Sequence, residues 1–245
     1  MIYSCVPDKG KKRPTNQDAC FAYKPDENSC IAVVCDGMGG ERAGDVASGI
    51  AVKAISERLC GGWRRGMKDS SVVNLLTTAV NAANILVYDA AQSAEEYSGM
   101  GTTVVAAVIR ETAMTVVHAG DSRCYICDGK LTRVTKDHSF VQELVDSGRI
   151  TENEAKTHPE RNYITRALGV AEHIDLDFNT VPVTQNVKIL ICSDGLYNFV
   201  GDEEIEAILC TCGVEEAARR LVDAANENGG ADNITAVVVS PAQGE

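Results

Sequence analysis

A chain of 245 residues, 44% hydrophobic and 24% charged, can bury a core of its own, and nothing in its composition points to disorder. Its formal net charge of −12 argues against a nucleic-acid binder, whose affinity depends on basic side chains. It leaves phosphate chemistry open, because metal ions can supply local positive charge.

The opening segment MIYSCVPDKGKKRP has no apolar core of a secretory signal. Apolar runs such as Thr103–Ile109 and Ile234–Val239 are too short to cross a bilayer, so the expectation is a cytoplasmic protein that does not engage a membrane. Strands are predicted at Cys20–Tyr23 and Ser29–Cys35, the second ending in the turn Asp36-Gly37-Met38-Gly39-Gly40. A helix is predicted from about Ala43 to Cys60, with Val46, Ala47, Ile50, Ala54 and Ile55 on its apolar face and Gly61-Gly62 as its stop. A second helix, about Ser71 to Ala94, carries the stripe Leu75, Ala79, Ala82 and Leu86.

Strands follow near Thr102–Ile109, Met114–His118 and Ser122–Cys127. The Asp128-Gly129 turn then leads into Lys130–Val134. From Ser139 to Glu160 the pattern is helical, polar and broken, which suggests a flap. Strands return at Ile174–Phe178 and Val187–Cys192, helices at Glu203–Leu209 and Val214–Asn226, and a last strand at Ile234–Val239. No repeat or linker divides the chain, so residues 1–245 are expected to form one α+β domain of layered sheets and helices.

The ten cysteines are expected to be reduced, as small buried apolar groups. Cys124 and Cys127 form a C-x-x-C, but on a strand an offset of three points to opposite faces, and no second pair completes a zinc site. The turn Gly37–Gly40 is no dinucleotide loop, because Arg42 stands where a third glycine is needed. The basic run Lys9–Arg13 is a solvated loop that can help steer phosphorylated substrates.

Aspartates recur where apolar runs end. Asp18 precedes a strand, Asp36 and Asp194 close buried-looking runs before a glycine, Asp121 lies between two strands, and Asp232 opens the last one. A carboxylate at the mouth of an apolar strand is costly unless something positive pairs with it, and few lysines or histidines stand nearby. Clustered hard oxygens select Mg²⁺ or Mn²⁺. Singly, each aspartate-glycine is more often a turn.

Together they carry a resemblance. The chain resembles the PP2C-type (PPM) metal-dependent serine/threonine phosphatases, especially the short bacterial members. The match runs through Arg13-x-x-Asn16-Gln17-Asp18, Val34-Cys35-Asp36-Gly37-Met38-Gly39-Gly40, Gly99-Met100-Gly101-Thr102-Thr103 and His118-Ala119-Gly120-Asp121-Ser122-Arg123. It continues in Lys136-Asp137-His138-Ser139, Ile164-Thr165-Arg166-Ala167-Leu168-Gly169, Ser193-Asp194-Gly195 and Asp232-Asn233-Ile234-Thr235.

The resemblance implies an α-β-β-α sandwich with two central antiparallel sheets. It makes Asp36 the carboxylate bridging two metals, with the Gly37 carbonyl on one. Asp194 and Asp232 complete the other, Asp18 supports the site, and Asp121 with Asp194 matches a third, weaker site. Arg13 is implied to bind phosphate. Two Mn²⁺ or Mg²⁺ ions would hold a bridging hydroxide for in-line attack on phosphoserine or phosphothreonine, without a phosphoenzyme. Met38 stands where many eukaryotic members carry histidine, so the leaving-group acid is open, with a metal-bound water the first choice. For His118, His138, His158 and His173 structural or exposed roles are expected, His138 anchoring the start of the flap. The implied setting is a cytoplasmic monomer acting on phosphorylated proteins, opposing a serine/threonine kinase of the same cell. The rivals are a non-catalytic phosphoprotein binder and a small-molecule phosphomonoesterase.

Overall fold

In the computed structural model, which describes residues 1–241 and for 40–42 the backbone alone, the most apolar strands are buried on both faces. β3 (Ser29–Met38) sends Ile31, Val33 and Cys35 to one side and Cys30, Ala32 and Val34 to the other. β11 (Ile234–Ser240) divides likewise, with Ala236 and Val238 opposite Val237 and Val239. A strand of period two with no polar face must be covered twice. Hence two sheets stack face to face, and each takes a helical layer outside.

One sheet has the order β1 (Ile2–Asp8), β11, β10 (Lys188–Cys192), β7 (Arg123–Cys127) and β8 (Leu131–Arg133). The other runs β2 (Asp18–Asp26), β3, β5 (Val104–Arg110), β6 (Ala113–Ala119) and β9 (Asp177–Pro182), with β4 (Gly101–Thr102) paired to the end of β3. Every pairing is antiparallel. The helices α1 (Gly40–Gly62) and α2 (Asp69–Ser93) cover the second sheet, and α5 (Asp194–Tyr197), α6 (Asp202–Thr211) and α7 (Val214–Glu227) cover the first. This is the expected four-layer sandwich. The short helices α3 (Phe140–Asp146) and α4 (Glu152–Thr157) occupy the segment read as a flap.

The face expected for α7, Ala217, Ala218, Leu221, Val222 and Ala225, is buried throughout. On α2 the stripe is rotated. Val72, Leu76, Ala79, Val80, Ala83 and Val87 are buried, whereas Leu86 is 45% exposed. The polar residues Asn74, Thr78, Asn81 and Asp89 take the exposed face instead. Within the buried stripe the Asn84 amide donates to the carbonyls of residues 171 and 172 and accepts the Gly169 N–H. By length and composition α2 could cross a membrane, but this buried stripe packs with α1 into the core over the sheet.

β1 is not among the predicted strands, and it contains Pro7. The proline is tolerated here because β1 lies at a sheet edge. β9 begins three residues later than predicted, since Ile174 and Leu176 instead pack into the helix-side core. Cys124 and Cys127 do face opposite cores.

One cysteine expectation is overturned. Cys5 and Cys20 are joined by a disulfide between β1 and β2. Both side chains point into the layer between the sheets, where two edge strands of different sheets face each other. The other eight cysteines are free.

Ile109 is fully buried between the sheets, toward the end of β5 remote from the aspartates. Ile109→Ala should cost about 2–5 kcal/mol of unfolding free energy in a urea titration and leave the far-UV circular dichroism at 25 °C unchanged.

Candidate metal centre

Antiparallel neighbours set the start of one strand beside the end of the next, and one end of the sandwich collects the acidic residues this way. Asp18 opens β2 in register opposite Asp36 near the end of β3. Asp121 lies in the turn from β6 to β7, Asp194 begins α5 directly after β10, and Asp232 precedes β11. Arg13, Asp36, Gly37, Asp121, Asp194 and Asp232 line one cleft of about 500 Å³. Asp18 is buried beside Asp36, within interaction range of Asp232. Every candidate residue therefore meets in one place.

Backbone contact brings these turns together. A Cβ on Gly37 would fall on the Gly44 carbonyl oxygen in α1, and one on Gly195 would fall on the Asn233 carbonyl oxygen. Only glycine permits either approach, and the second holds the start of α5 against the segment carrying Asp232.

Neutral groups then fix the carboxylates. Thr103 accepts the Asp36 N–H on its hydroxyl at 3.0 Å and donates its own N–H to the Asp36 carbonyl at 2.8 Å. The Ser193 hydroxyl donates to Asp18 Oδ2 at 2.6 Å and accepts the Thr235 N–H at 3.0 Å. Asn233 clamps the loop before β2. Its Oδ1 accepts the Gln17 N–H at 2.8 Å, and its amide donates to the Lys9 and Thr15 carbonyls at 2.9 Å each. That loop delivers Arg13, whose Nη2 meets Asp232 Oδ2 at 2.7 Å. On the far side Arg123 grips Asp137 and lies 3.5 Å over the Tyr197 ring, and the Tyr197 hydroxyl donates to the Asp121 carbonyl at 3.0 Å. Sequence reasoning did not single out Thr103, Ser193, Asn233 or Tyr197. The first three each stand beside an aspartate or within a quoted motif, a signal that was available.

The electrostatics are those of crowded acids. Burial, chiefly, raises the Asp18 and Asp121 carboxyl pKa values to about 6. Asp36 and Asp194 are pushed well above the usual range by burial and then by the carboxylates around them. Asp18 Oδ1 is buried with no hydrogen-bond partner. Converging carboxylates, one orphaned acceptor and no thiol or imidazole among the described lining residues form a donor set that fits hard divalent cations.

A second cluster does not fit a metal. Ligand atoms of His118, His138 and Asp177 lie within 4.8 Å of one another. The imidazoles, however, stack at 4.7 Å with planes 7° apart, so their in-plane lone pairs do not converge. The Arg166 guanidinium also already sits 2.9 Å from Asp177. These residues tie down the flap instead. His118 Nε2 bonds the Lys136 carbonyl at 2.8 Å, and the Gly120 N–H donates to His138 Nδ1 at 3.2 Å. His138 anchors the segment as expected, although the cap of α3 is Ser139.

An acidic, arginine-bearing cleft at the end of a two-sheet sandwich defines a metal-dependent phosphoester hydrolase. Residues 10–237 match the family model described as protein phosphatase 2C, and the chain belongs to that family of manganese- or magnesium-dependent serine/threonine phosphatases. It is 36% identical over 237 residues to the serine/threonine phosphatase stp of Listeria monocytogenes, covering 95% of this chain and 92% of that one. The crystal structure of the Mycobacterium tuberculosis serine/threonine phosphatase PstP/Ppp superposes with a TM-score of 0.89 at 35% identity, covering 99% of each chain. The catalytic domain of PstP in complex with two manganese ions aligns with a TM-score of 0.86 at 35% identity, covering 98% of this chain and 97% of that one.

Without metal, folded Asp18 and Asp121 hold protons up to about pH 6, whereas an unfolded aspartate releases its proton near about pH 4. Folding therefore takes up protons between these values, and these groups lower stability as pH rises through that window. Cations compete with those protons. The gain in Tm on adding Mn²⁺ should be larger at about pH 7.5 than at about pH 5; equal gains would show that these carboxylates do not meet the ion.

Proposed function

We propose that this cleft hydrolyses phosphoserine and phosphothreonine in proteins by direct attack of water, with no phosphoenzyme. The observation that carries the reading is the convergence of Asp36, Asp121, Asp194 and Asp232 with Arg13, and no cysteine or histidine among the described lining residues. Cys35, next to Asp36, is no nucleophile, because full burial pushes its thiol pKa up.

In this reading Asp36 would serve both cations, with the Gly37 carbonyl on one, Asp194 and Asp232 would complete the set, Asp18 would support it, and Asp121 with Asp194 would hold a weaker third ion. Bound Mn²⁺ or Mg²⁺ would supply positive charge for the phosphoryl oxygens and acidify a water for in-line attack. Arg13, its side chain 47% exposed and oriented by Asp232, can turn a guanidinium fork to two phosphoryl oxygens. Thr103 and Ser193 keep Asp36 and Asp18 from rotating out of register.

The proposal takes the chain as one catalytic unit, with 139–160 as a flap whose continuation, Asn162 and Ile164, lines the cleft. It extends to a cytoplasmic monomer that opposes a serine/threonine kinase of the same cell. Support for that setting is the near full-length likeness to bacterial phosphatases.

With p-nitrophenyl phosphate and saturating Mn²⁺, Asp36→Asn or Asp194→Asn should lower kcat more than about a hundredfold with the fold intact. Turnover retained in either variant would refute the assignment. Asp121→Asn should act more mildly, shifting the Mn²⁺ dependence and changing kcat less than about tenfold. Comparing kcat/KM on phosphothreonine peptides and sugar phosphates separates a protein phosphatase from a metabolite esterase.

A further inference from the structure

Away from the cleft, the outer face of β2 past the C-terminal end of α1 holds an apolar recess of about 460 Å³ lined by Phe21, Tyr23, Pro25, Cys60 and Trp63. Trp63 is a fixed wall, 7% exposed, with its indole N–H donated to Asp26 Oδ2 at 2.9 Å, whereas Tyr23 is 45% exposed. The rim is basic in a chain of net charge −12. Arg64 and Arg65 follow Trp63, both exposed. Asp26, the carboxylate at Trp63, is occupied by its indole and feels the charge of Arg65. Glu57, one turn before Cys60, stands between the exposed Lys53 and Arg58.

The recess is connected to the catalytic centre. β2 is an edge strand, and it begins at Asp18 in the metal centre and ends at Asp26 beside Trp63. At about 3.3 Å per residue, Asp18 to Tyr23 spans roughly 17 Å, the reach of five or six residues of extended chain.

We infer that this recess docks the phosphoprotein substrate: an acidic segment follows β2 and places one bulky apolar side chain between Tyr23 and Trp63, while the phosphorylated residue occupies the cleft. The inference rests on the phosphatase reading above. A sunken tryptophan suits an inserted side chain, whereas a bilayer would need a protruding one. Apolar burial supplies the affinity, and the basic rim selects the acidic flank.

The test uses phosphothreonine peptides carrying Asp-Glu-Phe-Asp-Glu about six residues before or after the phosphorylated residue, against the same peptides with Phe replaced by Ser. With Mn²⁺, at least one Phe peptide should show a KM lower by roughly three- to tenfold. That advantage should vanish in Tyr23→Ser and in Arg65→Glu, both at exposed positions remote from the cleft, while kcat on p-nitrophenyl phosphate stays at the wild-type value. No difference between Phe and Ser peptides, or a difference that survives both variants, overturns the docking site. So does Arg65-dependent sedimentation with phosphatidylserine vesicles in the absence of any peptide effect. Failure of the phosphatase reading looks different, as no Mn²⁺-dependent turnover of p-nitrophenyl phosphate at all.

Discussion

Carboxylates buried together at one end of the sandwich lose their water and then repel one another, and that combined cost is the constraint around which this molecule is organised. Asp18, Asp36, Asp121 and Asp194 all hold their protons more tightly than a free aspartate does. Such crowding stores an unfavourable energy that a protein keeps only where something recovers it. A pair of hard cations would recover it, with the same charges that oppose folding as their ligands.

Nothing near these acids neutralises them fully. Their hydrogen-bond donors are mostly neutral: the Ser193 hydroxyl on Asp18, the Asn198 amide on Asp194 and the Asn233 N–H on Asp232. Among the described side chains, Arg13 pairs with Asp232 and Arg123 is turned onto Asp137 and Tyr197. A cationic side chain inside the cluster would relieve the repulsion and weaken its attraction for metal. Position and charge are thus handled by different residues.

The layers were legible because their signals are local. Period-two apolar strands such as β3 and β11 declare two covered faces, and α7 declares one stripe because its other face is charged. α2 misled because its predicted stripe runs through Leu86, which is exposed, whereas the polar residues Asn74, Thr78, Asn81 and Asp89 mark the outer face. The acidic cluster was legible because its aspartates stand where apolar runs begin or end. Their orienting partners were harder to see, since small polar residues follow no period and their meaning comes from what they touch. The Cys5–Cys20 bond lay beyond sequence reasoning altogether, because it depends on two edge strands from different sheets facing each other.

The pairing of Arg13 with Asp232 joins two functions in one contact. A guanidinium nitrogen held by that carboxylate is not free for a phosphoryl oxygen, and a carboxylate held by that guanidinium is a weaker donor to an ion. Whatever engages either partner loosens the other, and by thermodynamic reciprocity the two affinities shift by the same factor. A phosphate on one partner and a cation on the other thereby favour each other through a single ion pair.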